Sequence, residues 1–244
     1  MNKILAILLV TVTLLAGCTK VSEPQIPATP ETIVNTFIQS LSKGDVNTCL
    51  SLLADDVVFR QEPSGMQTNG KAPVEAGIQQ LTAWHHQYSV VGTLQTEGNK
   101  VRLTIRETGD EYKIMGLEYI TGDIEAEVYD GKIKAWTVTV NQEDIKKVAE
   151  LTAGGIGIKF EATARGIKIT EFAKNSPLYE AGARPGDLII AVDGINYSQM
   201  REGEIQLRIK GPVGSEVKLT VTHEGAPAPT DIEVTRVNLA QLSY

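Results

Sequence analysis

The chain has 244 residues, enough for one or two domains. With 42% hydrophobic and 22% charged residues it has an ordinary globular balance, which excludes wholesale disorder, a collagen-like chain and multiple membrane spans. A formal net charge of −7 without a long basic run gives no support to nucleic-acid binding, and two cysteines exclude a multi-disulfide scaffold.

The first element is an address. Lys3 precedes an uncharged apolar stretch at residues 4–16, the layout of a secretory signal. That stretch ends by Lys20, short of the ~20 residues a spanning helix needs. Leu15-Ala16-Gly17-Cys18 resembles the lipobox of bacterial lipoproteins. The resemblance implies a signal peptide at 1–17, cleavage before Cys18 and lipid on the Cys18 thiol. The mature chain is then expected outside the cytoplasm, anchored at the outer face of the cytoplasmic membrane or in the outer membrane. Two acyl chains hold such an anchor, at ~0.8 kcal/mol per buried methylene. Residues 18–30, with prolines at 24, 27 and 30, read as a flexible tether. Cys49 lies among apolar residues at helical spacing and reads as a buried, inert thiol rather than a nucleophile.

Two blocks follow, with a boundary near 150. Residues 31–150 hold 11 basic and 18 acidic residues, and residues 151–244 hold 10 and 11. In the first block, Ile33, Phe37 and Leu41 recur at i, i+4 and i+8, which predicts a helix over 31–41. Gly44 stops it, Asp45 caps a second helix over 46–53, and a strand follows at 57–59. Residues 63–70 read as a loop and 73–86 as a third helix. Alternation then predicts strands at 88–97, 100–108, 111–121, 124–129 and 132–140, with an Asp130-Gly131 hairpin between the last two. Helices followed by antiparallel strands predict an α+β fold. The Lys43-Gly44-Asp45 turn, LSLLADDVVFR at 50–60, the Gly70-Lys71 helix start and DGKIKAWTVTV at 130–140 resemble the nuclear-transport-factor-2-like, SnoaL-like family. That resemblance implies a cone-shaped sheet around an apolar pocket, in proteins that catalyse, bind or dimerise. Asp56, His85, Tyr112, Tyr119 and Trp136 are the candidates for the pocket. Adjacent His85 and His86 cannot face one way on a helix, so they make no metal pair, and no metal or cofactor is expected. A helix-end role is the plainer reading of both histidines.

The second block, 151–244, opens on Gly154-Gly155-Ile156-Gly157. It continues with strands near 158–160 and 166–172, a one-turn helix at NSPLYEAG, and the buried strand of RPGDLIIAVDG. A helix is predicted over 201–210 and an antiparallel pair at 216–222 and 231–237. NSPLYEAGARPGDLIIAVDG and IKGPVGSEVKLTV resemble, in order and spacing, a PDZ domain of the kind found in carboxyl-terminal processing proteases. The resemblance implies a small β-barrel or sandwich with two helices. It also implies backbone N–H donors at Gly155, Ile156 and Gly157 for a peptide carboxylate. A partner strand would add beside Ile158 and Phe160, against Ile205, Leu207 and Arg208. Arg208 stands where such grooves are usually apolar; it either favours an acidic ligand side chain or is a solvated charge. A groove packed on the first block and binding nothing is the plainer alternative.

Together these features predict a tethered adaptor or regulator in envelope protein handling. Its expected partners are an extended or C-terminal peptide, the membrane through Cys18, and a second copy through the cone. No catalytic residue is assigned. Enzymatic activity is not expected, because the chain ends soon after the last strand and no serine sits in a Gly-x-Ser-x-Gly elbow. The rival reading is an enzyme or small-ligand binder using the cone pocket.

Overall fold

The computed structural model describes residues 28–201 and 203–244. The signal, Cys18 and most of the tether lie outside the described residues. Helix α1 (Pro30–Lys43) starts on Thr29, whose hydroxyl accepts from the Thr32 N–H, and ends on Gly44 at φ 66°. That left-handed cap is one a side chain would resist. Asp45 caps α2 (Val46–Leu52). Strands β1 (Leu53–Glu62) and β2 (Met66–Asn69) pair antiparallel, so the segment read as a loop at 63–70 carries a short edge strand. Then come α3 (Lys71–Ala83), β3 (Gln87–Glu97) and β4 (Lys100–Thr108).

Two further elements depart from the sequence reading. Residues 111–121 do not form a strand: helix α4 (Asp110–Met115) occupies their first half. Its first turn holds Asp110 and Glu111, favourable against the helix dipole, and Gly116 closes it at φ 84°. The apparent alternation of Tyr112 and Ile114 was too short to outweigh those end signals. Strands β5 (Ile120–Tyr129) and β6 (Lys132–Val140) follow, joined at Asp130-Gly131, both with positive φ as a type I′ turn requires. The second departure is α5 (Gln142–Thr152), a helix not anticipated. Asn141 caps it, and its buried Asp144 accepts from the Thr121 N–H (2.8 Å) and hydroxyl (2.7 Å). These bonds hold the Asp144 carboxyl below the usual range although burial pushes the other way.

The sheet order is β2-β1-β6-β5-β4-β3, parallel only between β1 and β6. Its buried residues Val101, Leu103, Ile105, Ile124 and Ile133 pack against Ile33, Val34, Phe37 and Ile38 of α1 in one core. Phe37 and Trp136 meet at 5.0 Å between ring centroids. Cys49 is fully buried there, and burial pushes its thiol up to about 12, which keeps it protonated and unreactive.

The second unit runs β7 (Gly154–Gly155), β8 (Ile158–Thr163), β9 (Gly166–Phe172), α6 (Pro177–Glu180), β10 (Leu188–Val192), β11 (Ile195–Asn196), α7 (Glu204–Ile209), β12 (Glu216–Thr222), β13 (Thr230–Thr235) and β14 (Val237–Asn238). The sheet path is β13-β12-β10-β9-β8, open at both ends, so of the two forms expected, barrel or sandwich, it is not a closed barrel. Ile167, Ile169, Leu178, Ile189 and Leu219 form a second core. Buried Arg236 donates to the Arg208 and Ile209 carbonyls, both at 2.8 Å, and so satisfies the end of α7. The molecule is α+β throughout, with two cores.

Candidate functional site

Two concave sites emerge, one in each unit. In the first, a cavity of about 380 Å³ opens among α1, α3, α4 and the sheet. Of the residues proposed for it from sequence, Tyr112 and Trp136 line it. Asp56, His85 and Tyr119 do not. Asp56 is exposed and faces Lys134 at 3.7 Å. His85 turns outward to Asp110 (2.6 Å), and Tyr119 lies outside under the Arg106 guanidinium at 4.1 Å.

The polar end of this cavity went unread in the sequence. It is His86, 4% exposed, between two carboxylates. Its Nδ1 faces Glu107 Oε1 at 2.5 Å and its Nε2 faces Glu111 Oε1. Tyr88 donates its hydroxyl to Glu107 at 3.0 Å. Burial alone would lower the His86 pKa. The hydrogen bonds to Glu107 and Glu111, and their charges, outweigh it and raise it to about 9, so the ring is an imidazolium at neutral pH. Burial, and then the charge of Glu107, push the Tyr88 and Tyr112 hydroxyls far above their ordinary range; both stay protonated. A signal for Glu107 existed. Val101, Leu103 and Ile105 alternate inward along β4, and Glu107 is the next position on that face.

The second site lies between β8 and α7. Strand β8 pairs with β9 along one side and with no other strand among the described residues. The Gly157 carbonyl accepts from the Ala173 N–H, on the β9 side. Strand alternation therefore turns the Ile158 N–H and carbonyl outward. A small cavity of about 90 Å³ is lined by Gly155, Ile156, Gly157, Ile158 and Phe160, with Gln206, Ile209 and Lys210 facing them. Ile205, Leu207 and Arg208 do not line it. Ile205 is buried in the core, and Arg208 is bound to the Glu204 carboxylate at 2.6 Å. Helix α7 (Glu204–Ile209) thus turns Gln206, Ile209 and Lys210 toward the cavity, not the residues assigned from sequence.

The loop bearing the candidate carboxylate donors is covered. Gly154–Gly155 pair with Val237–Asn238, the Leu239 side chain lies over Gly155 and that of Leu242 over Gly157. Ser176 donates its hydroxyl to the Ile156 carbonyl at 2.7 Å. Tyr244 donates its hydroxyl to the outward Ile158 carbonyl at 3.1 Å, with Lys159 Nζ 4.4 Å from its ring.

Arg201, just before α7, bridges the two units. It donates to Asp110 (2.8 Å) and to the Ala83 carbonyl (2.9 Å) and stacks its guanidinium 4.4 Å from the Trp84 ring. The His85 hydrogen bond, then Arg201 and Lys113, hold the Asp110 carboxyl well below the usual range against a burial effect that raises it.

The open edge strand, the short helix beside it and the glycine loop at its start are matched by a family. Residues 154–234 form a PDZ domain. A carboxy-terminal-processing protease of Bartonella bacilliformis is 23% identical over 138 residues, 52% of this chain and 32% of that protein. A carboxyl-terminal-processing protease of Synechocystis is 28% identical over 92 residues, 38% of this chain and 22% of that protein. The chain thus spans about a third or less of the length of these two relatives. Among solved structures, an NTF2-like protein from Cytophaga hutchinsonii is similar at a TM-score of 0.42 and 17% identity, over 50% of this chain and 98% of that one. The protease relatives correct one expectation. Enzymatic activity was set aside from where the chain ends, yet the proteins similar to this one are named as proteases, and that exclusion does not stand. A PDZ domain takes a protein or peptide partner, by strand addition at a sheet edge.

Proposed function

We propose that the PDZ domain captures extended or C-terminal peptides of other proteins during protein handling in the cell envelope. In this reading the peptide adds as a strand along the outward edge of β8, with one side chain in the cavity between β8 and α7. The observation that carries the reading is that edge: its outward Ile158 carbonyl is met by the Tyr244 hydroxyl, not by a strand. A peptide displaces that single bond and gains main-chain bonds along the edge. Reaching the Gly155 and Gly157 amides also requires Leu239 and Leu242 to swing aside. Lipid on Cys18 would hold the domain at the membrane.

A peptide array with free and amidated C-termini tests capture. Free carboxyl peptides are expected to bind at least about fivefold more tightly, a difference of ~1 kcal/mol. Phe160→Asp is expected to abolish binding while thermal melting shows the domain folded. Equal binding by amidated peptides removes carboxylate recognition, and an array with no binders rejects capture altogether. Mass spectrometry of the membrane fraction tests the anchor: the wild type is expected to carry acyl mass on Cys18, and Cys18→Ser to lose it.

A further inference from the structure

Residues 239–244 run across the loop and strand that open the PDZ domain. Strand β14 pairs with β7 and so delivers the segment to the start of the loop. One turn of 3-10 helix (Leu239–Gln241) follows, begun by the Asn238 side-chain oxygen, which accepts from the Ala240 N–H at 3.0 Å. Side chains three apart eclipse in such a turn, which puts Leu239 and Leu242 on one face. Leu239 lies so close over Gly155 that a Cβ there would stand 2.7 Å from its Cδ2; one at Gly157 would stand 3.0 Å from Leu242 Cδ1. Glycine at both positions admits this cover. Beyond Leu242, the Ser243 carbonyl accepts from the Lys174 N–H at 2.7 Å, and the Tyr244 hydroxyl donates to the Ile158 carbonyl on the open edge of β8.

The cover leaves one chemical need unmet. Ile156 and Gly157 are buried, yet their N–H groups meet no acceptor among the described residues. Their carbonyls are served, by the Ser176 hydroxyl and the Ala173 N–H, so the donors alone are left over. A buried donor without an acceptor costs stability, and the hydrocarbon of two leucines supplies none. The hold is also light: Leu239 and Leu242 are half-buried and Tyr244 is 56% exposed. A light cover over unmet donors is a closed state that a ligand with a carboxylate can displace. We infer that residues 239–244 are an intramolecular strap that closes the PDZ groove, and that a peptide binds by displacing it. This rests on the peptide-capture reading and adds its regulation. The apparent affinity is the intrinsic affinity reduced by the fraction of molecules whose strap is open. A partner that holds the strap away therefore raises capture without touching the groove.

The test compares the full chain with two variants on the free-carboxyl peptide array. Leu242→Ala with Tyr244→Ala loosens the strap and keeps Leu239, which lines the cavity. Tyr244→Phe removes the hydroxyl bond to Ile158 alone. Array peptides are expected to bind the double variant about fivefold or more tightly than the wild type, and Tyr244→Phe about twofold, with thermal melting showing each folded. In the wild type, saturating peptide is expected to speed hydrogen exchange at the Lys174 amide, whose acceptor belongs to the strap. Equal or weaker binding by both variants overturns the strap and leaves capture standing. So does a bound peptide that leaves Lys174 exchange unchanged. An array on which neither the wild type nor a folded variant binds any peptide rejects capture and the strap together. If the double variant fails to fold, Tyr244→Phe and the Lys174 amide of the wild type still decide.

Discussion

His86 shows how far one side chain's character depends on its surroundings. In an unfolded chain it titrates near 6.5; between Glu107 and Glu111 it titrates near 9. The folded state therefore holds the proton more tightly. Its stabilising contribution is full below pH 6.5 and is lost as pH rises through about 9. The shift corresponds to a contribution on the order of 3 kcal/mol. Urea unfolding of the wild type and His86→Gln is expected to show a gap of that order near pH 6 that closes by pH 10. A gap independent of pH would mean that the imidazolium contributes nothing. The sequence reading treated His85 and His86 as one helix end. The backbone separates them, because α3 stops at Ala83 and His85 takes φ 53°, turning one ring to solvent and the other inward. Residue type gave no sign of which ring would be buried.

Most helices and strands were legible where local signals agreed. Asp45, Gly44 and the Asp130-Gly131 turn fix their own backbones, and β4 alternates buried and exposed residues through Val101, Leu103 and Ile105. Alternation misled at 111–121, where six residues with an acidic first turn and a glycine cap make α4. That error hid a site, since α4 carries both Glu111 and Tyr112 into the cavity. Helix α6, by contrast, is specified by Ser176, whose hydroxyl caps Tyr179 and also holds the Ile156 carbonyl. It is 1% exposed. Ser176→Ala is expected to cost about 1–2 kcal/mol in denaturant unfolding, since a cap and a buried acceptor are lost together. It should also loosen the loop at Gly155–Gly157, read as faster amide exchange there. Unchanged exchange would mean the loop is held by Leu239 and Leu242 alone.

At the scale of the whole molecule, α4 and α7 meet through Arg201, Asp110 and Trp84. The same short helix lines the first cavity and touches the element beside the peptide edge. Asp110 has a lowered pKa, so its part of the contact is present above the unfolded value of 3.8 and is lost only as pH falls through a still lower value. Mild acid is not expected to part the units. Arg201→Ala is expected to change global stability by less than about 1 kcal/mol, as for partly exposed ion pairs. Distances between dyes placed one on each unit should nevertheless broaden. An unchanged distance distribution would assign the docking to other contacts.

The sequence by itself determined the α+β class, the PDZ pattern and most element positions, because caps, glycine turns and periodic burial act over a few residues. It also carried the lipobox-like signal at Cys18. Only the tertiary structure decided which side chains share a cavity. Tyr88, Glu107 and Glu111 come from β3, β4 and α4 and His86 from the turn before β3, and a cross-strand register that places Tyr88 opposite Glu107 brings them together. Only the tertiary structure, too, laid Leu239, Leu242 and Tyr244 against the loop and strand that open the PDZ domain. Contacts between residues some eighty apart follow from the packing of whole elements, and no local pattern encodes them.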